Sequence, residues 1–210
     1  VPIQVARHDL DNIILTYSKS IEAQTLTGGR KRFLQSALRD SKRSGMEIKG
    51  KKREKLKELQ THLTELAIDF SNNITSNEDT LFIQKNMTGG LPEDYKIERL
   101  QPDGRYAIDL SYPSFYPFMR YADSDSFRKL LRFKFLNIAA NQNLDILNEI
   151  ISSRKELTEI LGYTSYAAYA IEDAMAKTPS AVWEFENNLR KSIEKKAIMD
   201  TQEMLKMKRE

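Results

Sequence analysis

The segment Leu161–Phe185, LGYTSYAAYAIEDAMAKTPSAVWEF, limits what this chain can become more than any other. Leu161–Gly162 reads as a helix stop, because glycine reaches the left-handed conformation of a C-terminal cap at little cost. Ser165 then caps a short helix running through Met175, in which Ala167, Ala168, Ala170 and Ala174 let neighbours approach closely. Thr178–Pro179 opens another helix, with threonine as N-cap and proline at the first helical position, where no N–H is needed. Helix ends set so close together in sequence belong to a packed corner, not to a flexible linker.

Elsewhere the apolar positions keep a helical period. Leu10, Ile13, Ile14, Tyr17 and Ile21 predict a helix from Asp9 to about Leu26, broken at Thr27–Gly28–Gly29. Phe33, Leu34, Ala37 and Leu38 predict a second, from near Arg30 to Gly45. Leu56, Leu59, Leu63, Leu66, Phe70 and Ile74 form the longest stripe, closed by Ser71–Asn72–Asn73, and its members Leu59, Leu63, Leu66 and Phe70 are expected to be buried. The pattern changes at residue 79. Thr80–Gln84 and the alternating Arg105–Leu110 read as two strands that pair antiparallel, with Pro102–Asp103–Gly104 as a turn and Leu91–Tyr95 as a helical turn between them. Ser111–Ala122 is dense in aromatic residues and interrupted by Pro113 and Pro117. Ser124 caps a helix carrying Phe127, Leu130, Leu131, Phe135 and Ile138, and Asn143 opens one that runs to Leu161. The implied fold is mainly α, a multi-helix bundle with a small antiparallel β-hairpin. Its segments are 1–78 (helical), 79–122 (hairpin and aromatic junction) and 123–210 (helical), together one structural unit.

Composition agrees: 8 glycines and 6 prolines are few for a turn-rich β fold, and 40% hydrophobic with 30% charged residues suits helices with charged outer faces. With 33 basic against 30 acidic residues there is no global field to draw nucleic acid. The absence of cysteine removes disulfides, zinc ribbons and thiol nucleophiles, and points to a cytoplasmic setting. No stretch approaches the roughly 20 apolar residues that span a bilayer, so no membrane partner is expected. Val1 is not an initiator, so the chain begins after processing or is cut from something longer.

The candidate chemistry is sparse. His8 and His62 are the two histidines, and His62 is followed by Leu63–Thr64–Glu65–Leu66, so the H-E-x-x-H spacing of a zincin is absent. The basic run Lys49–Lys55 leads into an amphipathic helix and reads as a solvated helix start; Gly28–Gly29 and Gly89–Gly90 lack the lysine and spacing of a phosphate loop. The aromatic residues Tyr112, Phe115, Tyr116, Phe118 and Tyr121 could line a peptide-binding surface, though packing at the junction is the simpler reading. Glu172 and Asp173, adjacent on a helix, point about 100° apart and do not form a proton-sharing pair. No catalytic, cofactor-binding or metal-ligating residue emerges.

Four segments, in order, resemble the thimet oligopeptidase–neurolysin family of zinc metallopeptidases. They are Leu63–Ile74, similar to a helix ending in FxxN; Leu91–Tyr95, similar to an LP-D/E-D turn; Leu110–Pro113 with Tyr116–Pro117, similar to a strand and YP…P segment; and Leu161–Tyr163 through Met175–Thr178, similar to an LG(Y/F)…MAKT corner. The resemblance is good from about residue 50 onward. It implies a helical body split by a narrow channel, of which this chain is the amino-terminal wall. It also implies short peptides as substrates, and a zinc held by an H-E-x-x-H helix and a glutamate in a carboxy-terminal half that these residues do not include. The alternatives are a stand-alone helical module that binds peptide or protein without catalysis and, further behind, nucleic-acid binding through Lys49–Lys55.

Overall fold

The structure is a computed structural model that describes residues 8–209, with side chains from Asn12; His8 and Leu10 therefore lie outside the described side chains. It is mainly α with one two-stranded antiparallel sheet. The helices are α1 (His8–Ser18), α2 (Ile21–Thr25), α3 (Gly28–Arg43), α4 (Lys51–Thr75), α5 (Glu93–Arg99), α6 (Tyr112–Tyr121), α7 (Asp125–Leu136), α8 (Ala140–Ile160), α9 (Tyr166–Ile171) and α10 (Pro179–Arg209). The strands are β1 (Thr80–Ile83) and β2 (Tyr106–Asp109). Two compact units can be distinguished, one formed by residues up to His62 and from Ser152 onward, the other by Leu63–Ile151. Among the described residues no helix is long and apolar enough to cross a membrane.

In the second unit the core is built on the sheet. Thr80 faces Asp109, Leu81 Ile108, Phe82 Ala107 and Ile83 Tyr106. Strand alternation sends Leu81, Ile83, Tyr106 and Ile108 inward, where they meet Leu91, Tyr95, Phe115, Phe118 and Leu131. Gly104, at φ 81°, makes the turn predicted before β2, and Asp103 accepts the Arg105 N–H at 2.9 Å.

Residues 112–121 form one helix, α6, where an interruption was predicted. Pro113 sits in the first turn, where its missing N–H costs nothing. Pro117 lies inside α6 and cannot donate to the Pro113 carbonyl four residues back. Arg99 Nη2 donates to that carbonyl instead, at 3.1 Å. One face of α6 then delivers Phe115 and Phe118 to the core while Tyr112, Tyr116 and Tyr121 stay exposed, so the aromatic group is only partly core.

Other boundaries shift for local reasons. The first predicted helix divides at Lys19: Ser18 Oγ bonds the Leu15 carbonyl, and Ser20 caps α2 by accepting the Ala23 N–H. Ser71–Asn73 do not end α4, which runs on to Thr75. Asn73 Nδ2 donates to Asn143 Oδ1 at 2.9 Å, and Ser76 Oγ turns back onto the Asn72 carbonyl. Asn143 is accordingly no helix start. It is buried within α8, which begins at Ala140 behind a left-handed Ala139 at φ 54°, and its Nδ2 donates to the Phe70 carbonyl.

In the first unit Leu56 and Leu59 are buried along with Leu157, and Gly45, at φ 85°, lies in the turn that follows α3. A Cβ there would lie 2.3 Å from Leu56 Cδ2. Of the four stripe residues expected inside, Leu59 and Leu66 are buried, whereas Leu63 and Phe70 are half-buried. Leu56→Ala is therefore expected to cost about 2–5 kcal/mol, and Ile74→Ala, at an exposed end of the same helix, no more than about 0.5 kcal/mol. Urea midpoints of the two variants decide this, and equal losses would refute the burial assignment.

Candidate functional site

The corner singled out in the sequence lies within the first unit, and its caps form as predicted. Gly162 stands at φ 81°. The Tyr163 N–H reaches the Thr158 carbonyl at 2.9 Å and the Gly162 N–H the Glu159 carbonyl at 3.2 Å, the paired bonds that close a helix through a left-handed glycine. Ser165 Oγ accepts the Ala168 N–H, and Thr178 Oγ1 the Ala181 N–H at the head of α10.

α9 ends at Ile171, short of the predicted Met175. The cause is Arg43, whose Nη1 donates at 2.7 Å to the Tyr169 carbonyl that a continuing helix would have offered to Asp173 N–H. The same nitrogen meets Glu172 Oε2 at 2.8 Å, and Tyr163 Oη donates to that oxygen at 2.7 Å. Asp173 takes Arg39 Nε at 2.5 Å and faces Arg43 Nε at 3.6 Å. Arg43 also lies over the Tyr169 ring, 4.3 Å from its centroid. Glu172 and Asp173 thus serve as two separate receivers of arginine, not as a shared-proton pair. Hydrogen bonds from Tyr163 and Arg43 hold the Glu172 carboxyl below its usual range. Burial, with Glu172 beside it, pushes the Tyr163 phenol up to about 12, so it remains a donor at neutral pH.

The other candidates fall elsewhere. His62 is half-buried on α4 and has partners of its own. The basic run opens α4 on the surface, with Lys55 Nζ 3.4 Å from Glu156. Gly90, at φ 79°, is a packing glycine: a Cβ would sit 2.0 Å from the Tyr121 carbonyl oxygen. Among the described residues no three or more His, Asp or Glu side chains gather to hold a metal ion. Sequence reasoning missed the arginines. Arg43 and Glu172 are 129 residues apart, and no local period links them.

Comparison with known proteins follows the same segments. The profile of Peptidase family M3 matches residues 118–210, from α6 through the corner and α10. The thimet-like oligopeptidase of Dictyostelium discoideum is 29% identical over 182 residues, covering 85% of this chain and 27% of the relative. Oligopeptidase A of Escherichia coli (strain K12) is 29% identical over 184 residues, 80% of this chain and 27% of the relative. Saccharolysin of Saccharomyces cerevisiae is 28% identical over 178 residues, 81% of this chain and 24% of the relative. The chain thus spans about a quarter of the length of these relatives.

Two outcomes check the corner. Gly162→Ala, whose Cβ would meet nothing within 4 Å, should lose only the roughly 1 kcal/mol of left-handed backbone strain, measured by urea denaturation. Because the Glu172 carboxyl titrates lower in the fold than its ordinary 4.5, its contribution is complete above that pH and is lost as pH falls through the lowered value. Glu172→Gln should therefore lower the thermal midpoint at pH 7, by an amount that shrinks as the pH is taken down through the acid range; a loss that stays the same at every pH would refute the ionic role. Over most of its length this chain is similar to proteins named as oligopeptidases, and residues 118–210 match the profile of Peptidase family M3.

Proposed function

We propose that these residues form the amino-terminal channel wall of a zinc-dependent oligopeptidase that cuts short peptides, and that the metal and its chemistry belong to a carboxy-terminal half outside them. The observation that carries the reading is the ordered match to proteins named as oligopeptidases over 80–85% of this chain. The residues described do not fit zinc. Protein zinc sites draw four ligands from Cys, His, Asp and Glu, usually with at least one histidine in catalytic sites. This chain has no cysteine, and its histidine on α4 stands apart from any such cluster. No catalytic or metal-binding role is assigned to any of its residues.

Helix α10 supports an incomplete wall. None of its residues is buried, and Trp183, Phe185, Leu189, Ile193 and Ile198 are all more than 40% exposed. A helix of that length keeps so many apolar side chains in water only until something covers them. The catalytic half is the proposed cover. Tyr112, Tyr116 and Tyr121, on the outer side of α6, are available to a peptide path. Nucleic acid and membrane are not proposed as partners, since the basic run is a helix start paired in part with Glu156. The cytoplasm is the proposed compartment, which suits a cysteine-free chain.

The chain alone is expected not to hydrolyse a quenched fluorescent peptide with or without zinc. Added to a separately made carboxy-terminal half, it should restore cleavage and shift the emission of Trp183, the sole tryptophan, to shorter wavelength. Chelator-sensitive hydrolysis by the purified chain, or a parent gene without H-E-x-x-H, would overturn this reading. A stop codon after Glu210 together with a defined peptide partner would favour the stand-alone binding module.

A further inference from the structure

The sheet turns one face to the core and leaves the other open, with Thr80, Phe82, Ala107 and Asp109 on the open side. That face, the end of α5 and the start of α6 enclose a shallow cleft of about 320 Å³, lined by Thr80, Glu98, Arg99, Gln101, Asp109 and Ser114 beside Ala107. Arg99 is its unusual member. Its side chain is 10% exposed and lies over the Tyr95 ring, 3.8 Å from the centroid. Nη1 donates to the Tyr95 carbonyl at 3.2 Å and to Glu98 at 2.9 Å; Nη2 donates to the Pro113 carbonyl at 3.1 Å and to Ser114 Oγ at 3.2 Å. Nε is buried with no acceptor in the protein. Buried donors are rarely left unpaired, because burial removes their water and returns nothing.

Two carboxylates share the cleft. Glu98 is 71% exposed, and Asp109 accepts the Ser111 N–H at 2.7 Å. One guanidinium against two carboxylates leaves the cleft with a net negative charge. A simple anion would meet Glu98 and Asp109 unfavourably, and a simple amine would leave Arg99 Nε as it is. A ligand that suits both demands carries a cation and a carbonyl oxygen a few bonds apart.

We infer that this cleft takes the amino-terminal residue of a peptide, its ammonium group against Glu98 and Asp109 and its first carbonyl oxygen as the acceptor for Arg99 Nε. The choice of a peptide over other compounds with that pair of groups rests on the oligopeptidase reading. The roles are those of binding and orientation, with no covalent step.

The test is a titration of the full ¹⁵N-labelled chain with trialanine amide and with its N-acetylated counterpart, following the Arg99 Nε–H resonance. The free-amine peptide should shift that resonance saturably, and the acetylated one should bind about tenfold more weakly or worse. Glu98→Gln, at an exposed position, should weaken binding several-fold and leave the thermal midpoint unchanged. Arg99→Lys keeps the charge and loses Nε, so, followed on the Ser114 amide resonance, it should weaken both peptides alike and keep the preference for a free amine; if it fails to fold, Glu98→Gln still decides. Equal binding of the two peptides, a response to inorganic phosphate alone, or a resonance unmoved at millimolar peptide would overturn the site. A null titration beside a parent gene that encodes H-E-x-x-H removes this cleft and leaves the oligopeptidase reading standing. Saturable binding with no such motif downstream does the reverse.

Discussion

The second unit depends on one carbonyl. Pro117 deprives α6 of a backbone donor in the middle of the helix, and the Pro113 oxygen would be left without its partner. Arg99 supplies the replacement from the end of α5, and its other groups bind the Tyr95 carbonyl and Ser114 Oγ. Tyr95 completes the junction by donating to the Ser114 carbonyl at 2.7 Å, and burial pushes its phenol up to about 12, so that hydrogen bond keeps its proton at any working pH. A proline that should break a helix is thereby made part of the joint that sets α6 against the sheet. With α6 in place, Phe115 and Phe118 reach Ile108 and Leu131, and the core closes.

The first unit uses the same device with a different chemistry. Arg43 comes from α3 and takes the Tyr169 carbonyl and the Glu172 carboxylate together, while Arg39 takes Asp173. These pairs are only partly screened from water: Glu172 is 42% exposed and Asp173 33%. Their net worth is correspondingly modest, and their value lies in direction. They fix where α9 stops, and with it the short path through the left-handed Lys177, at φ 63°, into α10.

What the sequence shows and what it hides divide along this line. Signals that act within four residues were legible: Gly162 as a left-handed cap, and Ser124, Ser165 and Thr178 as N-caps. The two strands and their pairing were legible for the same reason, since alternation is local. Signals that need a partner from far along the chain were not. Pro117 reads as a breaker until Arg99 is seen beside it, and Asn143 reads as a helix start until Asn73 and Phe70 claim its side chain. Polar residues are ambiguous in sequence because the same side chain can cap its own helix or bind another. The amphipathic period is ambiguous in another way. It marks which face of α10 is apolar, but not whether that face is covered.

That last ambiguity bears on function. Arg43 and Arg99 hold backbone carbonyls, Glu172 and Asp173 hold the arginines of α3, and Asp109 holds the N–H of Ser111 two residues on. Polar groups committed in this way position helices and have little freedom left to move a proton or grip a metal. The exceptions stand out against that background. Among them are the uncovered apolar side of α10, the tyrosines outside α6, and the unpaired Nε of Arg99. A scaffold satisfies its internal demands and leaves open those that another body is to meet. The open demands here are apolar, aromatic and, at one atom, for a hydrogen-bond acceptor, and they are what the proposed second half and the proposed peptide would have to meet.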